Sequence, residues 1–335
     1  MIETQALIPD APAIPGLRFR MFDPRDDYEA FVELLTTANV ADGLEWIPTV
    51  ENLKNDHRHT AAFDPRRDLL VAEIDGRLVS ATETSVRTRD GEAVHYIDGW
   101  VLPAWRRRGL GRALLGWTER RAREVGLVDG RTGPRSMMAW PDTLQAGAVA
   151  LYESAGYEVI RYGFLMTRDL GEPIPDPALP DGIELRPVVA ADHRAIWDAD
   201  VEAFRDHWGR AERTEADYER WFAMPELDTG LWQVAWDGDQ VAGSVMNFVY
   251  PEENEALGLK RGWLEHVSVR RSWRRRGLAS ALIAGSLRAL RGIGLTEAAL
   301  GVDAENLTGA LRVYEALGFE RARTGVAYRK GFSME

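Results

Sequence analysis

The sequence contains the block Trp-Arg-Arg-Arg-Gly-Leu twice, at Trp105–Leu110 and Trp273–Leu278, 168 residues apart. Each copy follows a β-type run and precedes an amphipathic helical run, Gly111–Val125 in one case and Ala279–Leu290 in the other. A basic tripeptide that runs into glycine at the head of a helix is a device for holding an anion. The first N–H groups of a helix have no intrahelical acceptor, and the dipole makes that end partly positive. Glycine lets a ligand come close, and flanking arginines add charge-assisted bonds. The pattern is Arg-x-x-Gly-x-Gly/Ala. It lacks the Gly-Lys-Ser/Thr of a nucleoside-triphosphate loop and the Gly-x-Gly-x-x-Gly spacing of a dinucleotide fold. One copy is weak, because basic tripeptides also occur as solvated surface clusters. Two copies in the same strand–turn–helix context mark a repeated binding element.

Other landmarks repeat with it. The hairpin turns Asp75-Gly76 and Asp237-Gly238 lie 162 residues apart, as do Tyr152-Glu153 and Tyr314-Glu315. In the first half, periodicity predicts a strand at 17–20, helices over 27–37 and 49–61, a hairpin over 68–82 and a strand over 95–101. After the turn and its helix come a strand at 136–140, a helix over 146–155 and a closing strand over 159–167. The second half repeats this: strand 183–186, helices 192–204 and 215–222, hairpin 231–250, strand 263–269, then strand 298–302, helix 307–317 and closing strand 324–330. Between the halves, the prolines of Gly171–Asp181 exclude helix and sheet. Two similar α+β domains in tandem are expected, 16–170 and 182–335, with 171–181 as linker. Met1–Pro15 is rich in Pro and Ala, has no basic-then-apolar signal pattern, and reads as a loose leader.

Composition narrows the function. At 335 residues and 45% hydrophobic content the chain can bury two cores. It has no cysteine, so disulfides, thiolate metal sites and a cysteine nucleophile are excluded, no metal is expected, and the cytoplasm is the default location. No apolar run approaches the length of a membrane span. A net charge of −12 argues against nucleic acid as partner, so the arginines of the two turns stand out as local anion sites.

Arg274-Arg275-Arg276-Gly277-Leu278-Ala279 resembles the acetyl-CoA pyrophosphate loop of the GNAT N-acetyltransferases. Downstream, Asn306, Gly309, Ala310, Tyr314 and Gly318-Phe319 resemble the second signature of that family, at family spacing. The first half has Arg106–Gly111, then Tyr152 and Gly156-Tyr157, but Leu144 stands where the second half has Asn306. The resemblance covers nearly the whole chain. It implies a mixed α/β sheet in each domain that splays open after its fourth strand, with the pantetheine of acetyl-CoA entering the gap. Pantetheine would then bond to the main chain of Val267, Ser268 and Val269, with Asn306 nearby. The pyrophosphate would lie on Arg275, Arg276, Gly277, Leu278, Ala279 and Ser280, behind Arg274. The first-half equivalents are Gly99, Trp100 and Val101, then Arg106, Arg107, Arg108, Gly109, Leu110, Gly111 and Arg112. Acetyl-CoA is the implied cosubstrate and a small-molecule primary amine the implied acceptor.

Acetyl transfer to an amine requires a neutral amine, a polarised thioester and a proton for the departing thiolate. The family usually works by direct attack, which agrees with the absence of cysteine. Strand alternation puts Glu265 on the face of Val267 and Val269 and makes it the candidate base. A β-bulge in this strand would shift the phase toward His266. Tyr314 is the candidate acid. Counting back from the first turn puts Ile97, which cannot take a proton, at the position of Glu265, with Asp98 and His95 as nearby alternatives and Tyr152 as acid. By the same resemblance, the stretch Phe204–Trp208 with Tyr218, Trp221 and Phe222 would wall the acceptor, Asp206 and His207 touching it. The second domain, with the fuller motif, is the expected catalyst. An active first domain, or an acyl-CoA-binding module without turnover, are the alternatives.

Overall fold

Alternating apolar residues and a two-residue turn build the first hairpin. Strand β1 (Leu17–Met21) pairs with β2 (Leu69–Ile74), and β2 turns into β3 (Arg77–Arg89) through positive φ at both Asp75 (51°) and Gly76 (78°), the geometry that matches strand twist. Helices α1 (Tyr28–Ala41), α2 (Val50–His59) and the single turn α3 (Pro65–Asp68) lie between β1 and β2 in sequence. Strand β4 (Glu92–Val101) leads into the first basic turn. Helix α4 (Leu110–Val128), β5 (Arg135–Ala139), α5 (Ala146–Ser154) and β6 (Glu158–Asp169) complete the repeat. The second repeat runs β7 (Glu184–Leu185), α6 (His193–Ala203), α7 (Glu215–Phe222), β8 (Gln233–Asp237), β9 (Gln240–Phe248), α8 (Pro251–Leu257) and β10 (Arg261–Val269). It ends with α9 (Leu278–Gly292), β11 (Glu297–Asp303), α10 (Ala310–Ala316) and β12 (Glu320–Gly331). The computed structural model describes residues 8–209, 212–305 and 309–332. The architecture is the expected mixed-sheet α+β fold, present twice.

The chain forms two compact units, and these depart from the contiguous boundaries 16–170 and 182–335. The first unit takes the chain up to Ile160, with Thr214–Ala223 and the segment from Val326; the second takes Arg161–Arg213 and Met224–Gly325. In the first, the strand order is β1-β2-β3-β4-β5-β12; in the second it is β7-β8-β9-β10-β11-β6. Both sheets are antiparallel except for one parallel pair, β4/β5 and β10/β11 respectively. The closing strand of each repeat therefore completes the sheet of the other.

Side chains on the exchanged strands account for the choice. On β6, Arg161 forks onto Asp303 at 2.7 and 2.8 Å, and Arg168 donates to the carbonyls of Leu317 and Pro173. On β12, Tyr328 donates to Glu153 (2.9 Å), Lys330 to Glu119 (2.8 Å) and Arg329 to Glu92 (2.6 Å). These pairings join residues more than a hundred positions apart, so strand periodicity in the sequence gives no sign of them. Helix α7 is exchanged as well. The Asn55 amide donates to the Arg220 carbonyl at 3.0 Å, and Arg220 and Asp217 pair with Asp56 and Arg87.

The leader is not loose. Ile8 is 1% exposed and belongs to the cluster of Leu110, Leu114 and Trp117. The linker does the same in the second unit, where Ile174 and Leu179 pack on the cluster of Leu278 and Leu282. Ile8-Pro9-Asp10 and Ile174-Pro175-Asp176 lie 166 residues apart, so each repeat begins with a proline-rich strap. Prolines keep the strap out of regular structure, which is why it reads as loop. Its isoleucine nevertheless fills a core. Ile8→Ala is expected to destabilise the first unit by about 3 kcal/mol, read as a lowered urea midpoint; a loose leader would leave the midpoint unchanged.

Candidate active sites

Each basic turn is held by its first arginine. Arg274 donates from Nε to the Val269 carbonyl (2.9 Å), from Nη2 to the Ala203 carbonyl (2.8 Å) and from Nη1 to Asp206 (2.7 Å). Arg106 makes the same set, to Val101 (3.0 Å), to Ala38 (3.2 Å) and to the Asp42 carboxylate. The guanidinium thus ties the end of a strand, the C-terminal carbonyls of a helix and the turn into one joint. Arg274 and Arg106 are spent on this joint and not displayed to a ligand. Asp206, expected at the acceptor, belongs to it too, its carboxyl held below the usual range by Arg271 and Arg274.

The joint leaves the rest of the turn open. Arg275 and Arg107 sit at φ 60° and 61°, and Gly277 and Gly109, both left-handed, start α9 and α4 at φ 86° and 91°. A glycine N-cap supplies no side-chain acceptor, so the first N–H groups of both helices keep their donors for a ligand. Arg275, Arg276, Gly277, Arg107, Arg108 and Gly109 are exposed. Around Gly277 there is free space, whereas Pro12 of the first strap lies 3.3 Å from where a Cβ on Gly109 would be. Leu278 and Leu110, expected at the pyrophosphate, turn their side chains into the cores and can offer only main chain.

Both parallel pairs open partway. Strand β10 pairs with β11 only over Arg261–Trp263, and β4 with β5 only over Ala93–Tyr96. Beyond these points Val267, Ser268 and Val269, like Gly99, Trp100 and Val101, stay paired to β9 or β3 on one side, while their other edge has no partner in the sheet. A free strand edge leading into an anion-binding turn fits a ligand that carries amides at one end and phosphates at the other.

Acids stand at the splay in both units. In the second, the register between β9 and β10 shifts between Leu264 and His266, so Glu265 is the extra residue of a β-bulge. Its carboxylate is open to solvent yet walled closely enough that lost hydration raises it above the ordinary range, against the opposing pull of Tyr250, which donates to it at 2.9 Å. His266 is held through Nδ1 by the buried Asp200 at 2.8 Å and by the Phe204 ring. In the first unit β3 and β4 run in unbroken register, and Asp98 stands directly opposite Glu83. Leu264 and Ile97 are both buried in the cores, so the single residue Asp98 takes the place of the bulged pair Glu265–His266. Counting from the turn misses this, because the bulge adds a residue. Asp98 is also solvent-open, and burial, with Glu83 beside it, pushes its carboxyl up to about 7. His95 is fully buried, and burial and Arg135 lower its pKa to about 4, so it is a neutral core residue.

Tyr314 on α10 is 6% exposed, and its hydroxyl, pushed up to about 12 by burial, has no hydrogen-bond partner among the described residues. Tyr152 on α5 is 8% exposed, is likewise without a partner, and is raised by burial and by Asp98. Buried tyrosines normally bond their hydroxyl, so a free one facing a splayed strand is reserved for something else. Asn306 lies outside the described residues. Leu144, its first-half counterpart, is 54% exposed and nonpolar. Among the described residues no group of His, Asp and Glu could hold a metal ion.

The model of the acetyltransferase (GNAT) family matches residues 29–157 and again 193–319. The chain belongs to the GNAT acetyltransferase family. It is 30% identical over 306 residues to a mycothiol acetyltransferase of Geodermatophilus obscurus, covering 90% of this chain and 93% of the relative. It is 32% identical over 327 residues to the one from Kineococcus radiotolerans, covering 96% and 97%. Among solved structures, a GCN5-related N-acetyltransferase from Sphaerobacter thermophilus superposes with TM-score 0.71 at 28% identity, covering 95% and 96% of the two chains. A tandem GNAT protein from the clavulanic acid biosynthesis pathway shares the fold, with TM-score 0.66 at 22% identity over 94% and 98%.

Membership makes the chain an N-acetyltransferase with acetyl-CoA as cosubstrate, and both GNAT copies keep the splay and the turn for it. Sequence reasoning placed these parts but missed Tyr250 and Glu83, whose contacts to the acids run between strands. The raised acid in the first copy has a consequence for stability. Unfolded Asp ionises near 3.9, roughly, whereas folded Asp98 ionises at about 7. The stability it contributes is complete below about pH 4 and is lost as pH rises through 7. Asp98→Asn is therefore expected to raise the urea midpoint over the unaltered protein at pH 8, with the gain vanishing near pH 4.

Proposed function

We propose that the second unit transfers an acetyl group from acetyl-CoA to a primary amine of a small molecule, by direct attack in a ternary complex. The observation that carries this reading is the buried, unpartnered Tyr314 hydroxyl, in the same apolar cluster as Leu278 at the head of the turn helix. Glu265 is the base: a carboxyl raised by lost hydration holds a proton taken from an incoming ammonium better than an ordinary one, and Tyr250 keeps it oriented. Acetyl-CoA supplies the activated thioester. Val267, Ser268 and Val269 offer main-chain partners along the pantetheine, and the N–H groups of Arg275 to Ser280 hold the pyrophosphate, with the exposed Arg275 and Arg276 adding charge. Tyr314, high in pKa, keeps its proton until the thiolate leaves and then donates it.

Direct attack follows from the chain's own inventory, since it has no cysteine to carry an acyl group. The match of mycothiol acetyltransferases along nearly the full length supports a small-molecule acceptor. A cytoplasmic location belongs to the same reading, because acetyl-CoA must be at hand.

Glu265→Gln and Tyr314→Phe are each expected to lower CoA release with the acceptor amine by about 10²–10⁴-fold, with acetyl-CoA binding by calorimetry retained. Gly277→Glu is expected to abolish turnover, while Gly109→Glu leaves most of it. Unchanged turnover in both Glu265→Gln and Tyr314→Phe rejects the roles, and loss only with Gly109→Glu moves catalysis to the first unit.

A further inference from the structure

The first unit contains a polar chain that the reading above does not use. Glu83 and Asp98 face each other across the β3–β4 ladder. Glu83 Oε2 is buried, accepts no hydrogen bond, and lies 3.4 Å from Nε2 of His57 on α2. His57 is itself buried, and its Nδ1 lies 3.0 Å from the hydroxyl of Tyr28 on α1. With Tyr28 donating to Nδ1, Nε2 carries its hydrogen toward Glu83, so two helices fix the position of that carboxylate. Nothing fixes Asp98 in the same way. Its carboxylate has no hydrogen bond or ion pair among the described residues, although its surroundings penalise a bare charge.

Two carboxylates directly opposite one another on a sheet repel. The described structure gives this pair no Lys or Arg. Lys54, on the same helix as His57, has its amine 5.2 Å above the Tyr28 ring. The independent sign of a ligand is Tyr152. It is more than nine-tenths buried, with no partner for its hydroxyl, and Asp98 is close enough to act on it electrostatically. Tyr96, on the face of β4 shared with Asp98, feels the same charge. An unpaired carboxylate, a second one braced opposite it and an unpaired buried hydroxyl converge at the open end of β4.

The geometry points to a second acceptor site in the first unit, in which the carboxylates of Glu83 and Asp98 together hold a primary ammonium group and Asp98 removes its proton. One N–H bond of the ammonium breaks and its electron pair stays on nitrogen; an O–H bond forms on Asp98, and the two opposite charges cancel. Glu83, braced by His57 and Tyr28, positions the cation and stays ionised. Primary amines fit and quaternary ones do not, because both carboxylates need an N–H to accept. This site goes beyond the second-unit reading and stands or falls separately from it.

The test uses the full chain labelled with ¹³C at aspartate carboxyls, with the Asp98 resonance identified through Asp98→Asn. Ethylammonium chloride is titrated at pH 8 against tetramethylammonium chloride at equal ionic strength. A saturable Asp98 shift is expected with ethylammonium and not with the quaternary ion, weakened about tenfold in Glu83→Gln. It should persist unchanged in Glu265→Gln, which separates it from the second-unit site. No saturable shift, an equal response to both ions, undiminished binding in Glu83→Gln, or loss of the shift in Glu265→Gln would each overturn the proposal. The comparison of the two ions in the unaltered protein does not depend on any variant folding.

Discussion

A single guanidinium in each unit holds together everything the fold needs at its functional end. Arg106 and Arg274 each bind a strand-end carbonyl, a helix-end carbonyl and an aspartate. Without that joint, the strand that offers its edge to a ligand and the helix that offers its N–H groups would be linked only by an exposed turn at strained φ. Holding arginine at positive φ in the next position costs about 1–3 kcal/mol, and the fixed ends of the turn sustain it. The family's leading arginine is thus an architectural residue here. The anion is left to the backbone and to Arg107 and Arg108, or Arg275 and Arg276.

The two copies reach an acid at the splay by different routes. In the second, an inserted residue bulges the strand and yields Glu265 beside His266. In the first, an unbroken ladder sets Asp98 opposite Glu83. In both cases the carboxyl is open to solvent and poorly hydrated, a combination found at the floor of a concave site. What differs is the brace: a tyrosine on Glu265, and a carboxylate backed by histidine and tyrosine beside Asp98.

Much of this was legible in the sequence because it is local. Asp75-Gly76 sets its own turn, Gly109 and Gly277 set helix starts, and apolar periodicity marks the helices between. The acids were legible only in part, since a one-residue bulge shifts every count taken from the turn, and that shift hid the match between Asp98 and Glu265. The straps were not legible, because a proline-rich run shows no periodicity even when Ile8 is fully enclosed. Nor was the exchange of closing strands: β6 and β12 alternate alike, and their destinations are decided by partners such as Asp303 and Glu153 far along the chain.

That exchange bears on how the protein is made. Strand β5 consists entirely of buried residues, and its outer neighbour is β12, whose Tyr328 pairs with Ala139. At synthesis rates of about 5–20 residues per second, roughly ten to forty seconds separate the emergence of the two. Throughout that interval the first repeat carries an apolar strand with a bare edge, the feature most prone to wrong pairing. Its own closing strand, β6, has already left the ribosome and is the nearest available substitute. Completion of the native protein therefore requires β6 to be kept for, or surrendered to, β11, and the nascent first half is the stage at which a chaperone has most to protect.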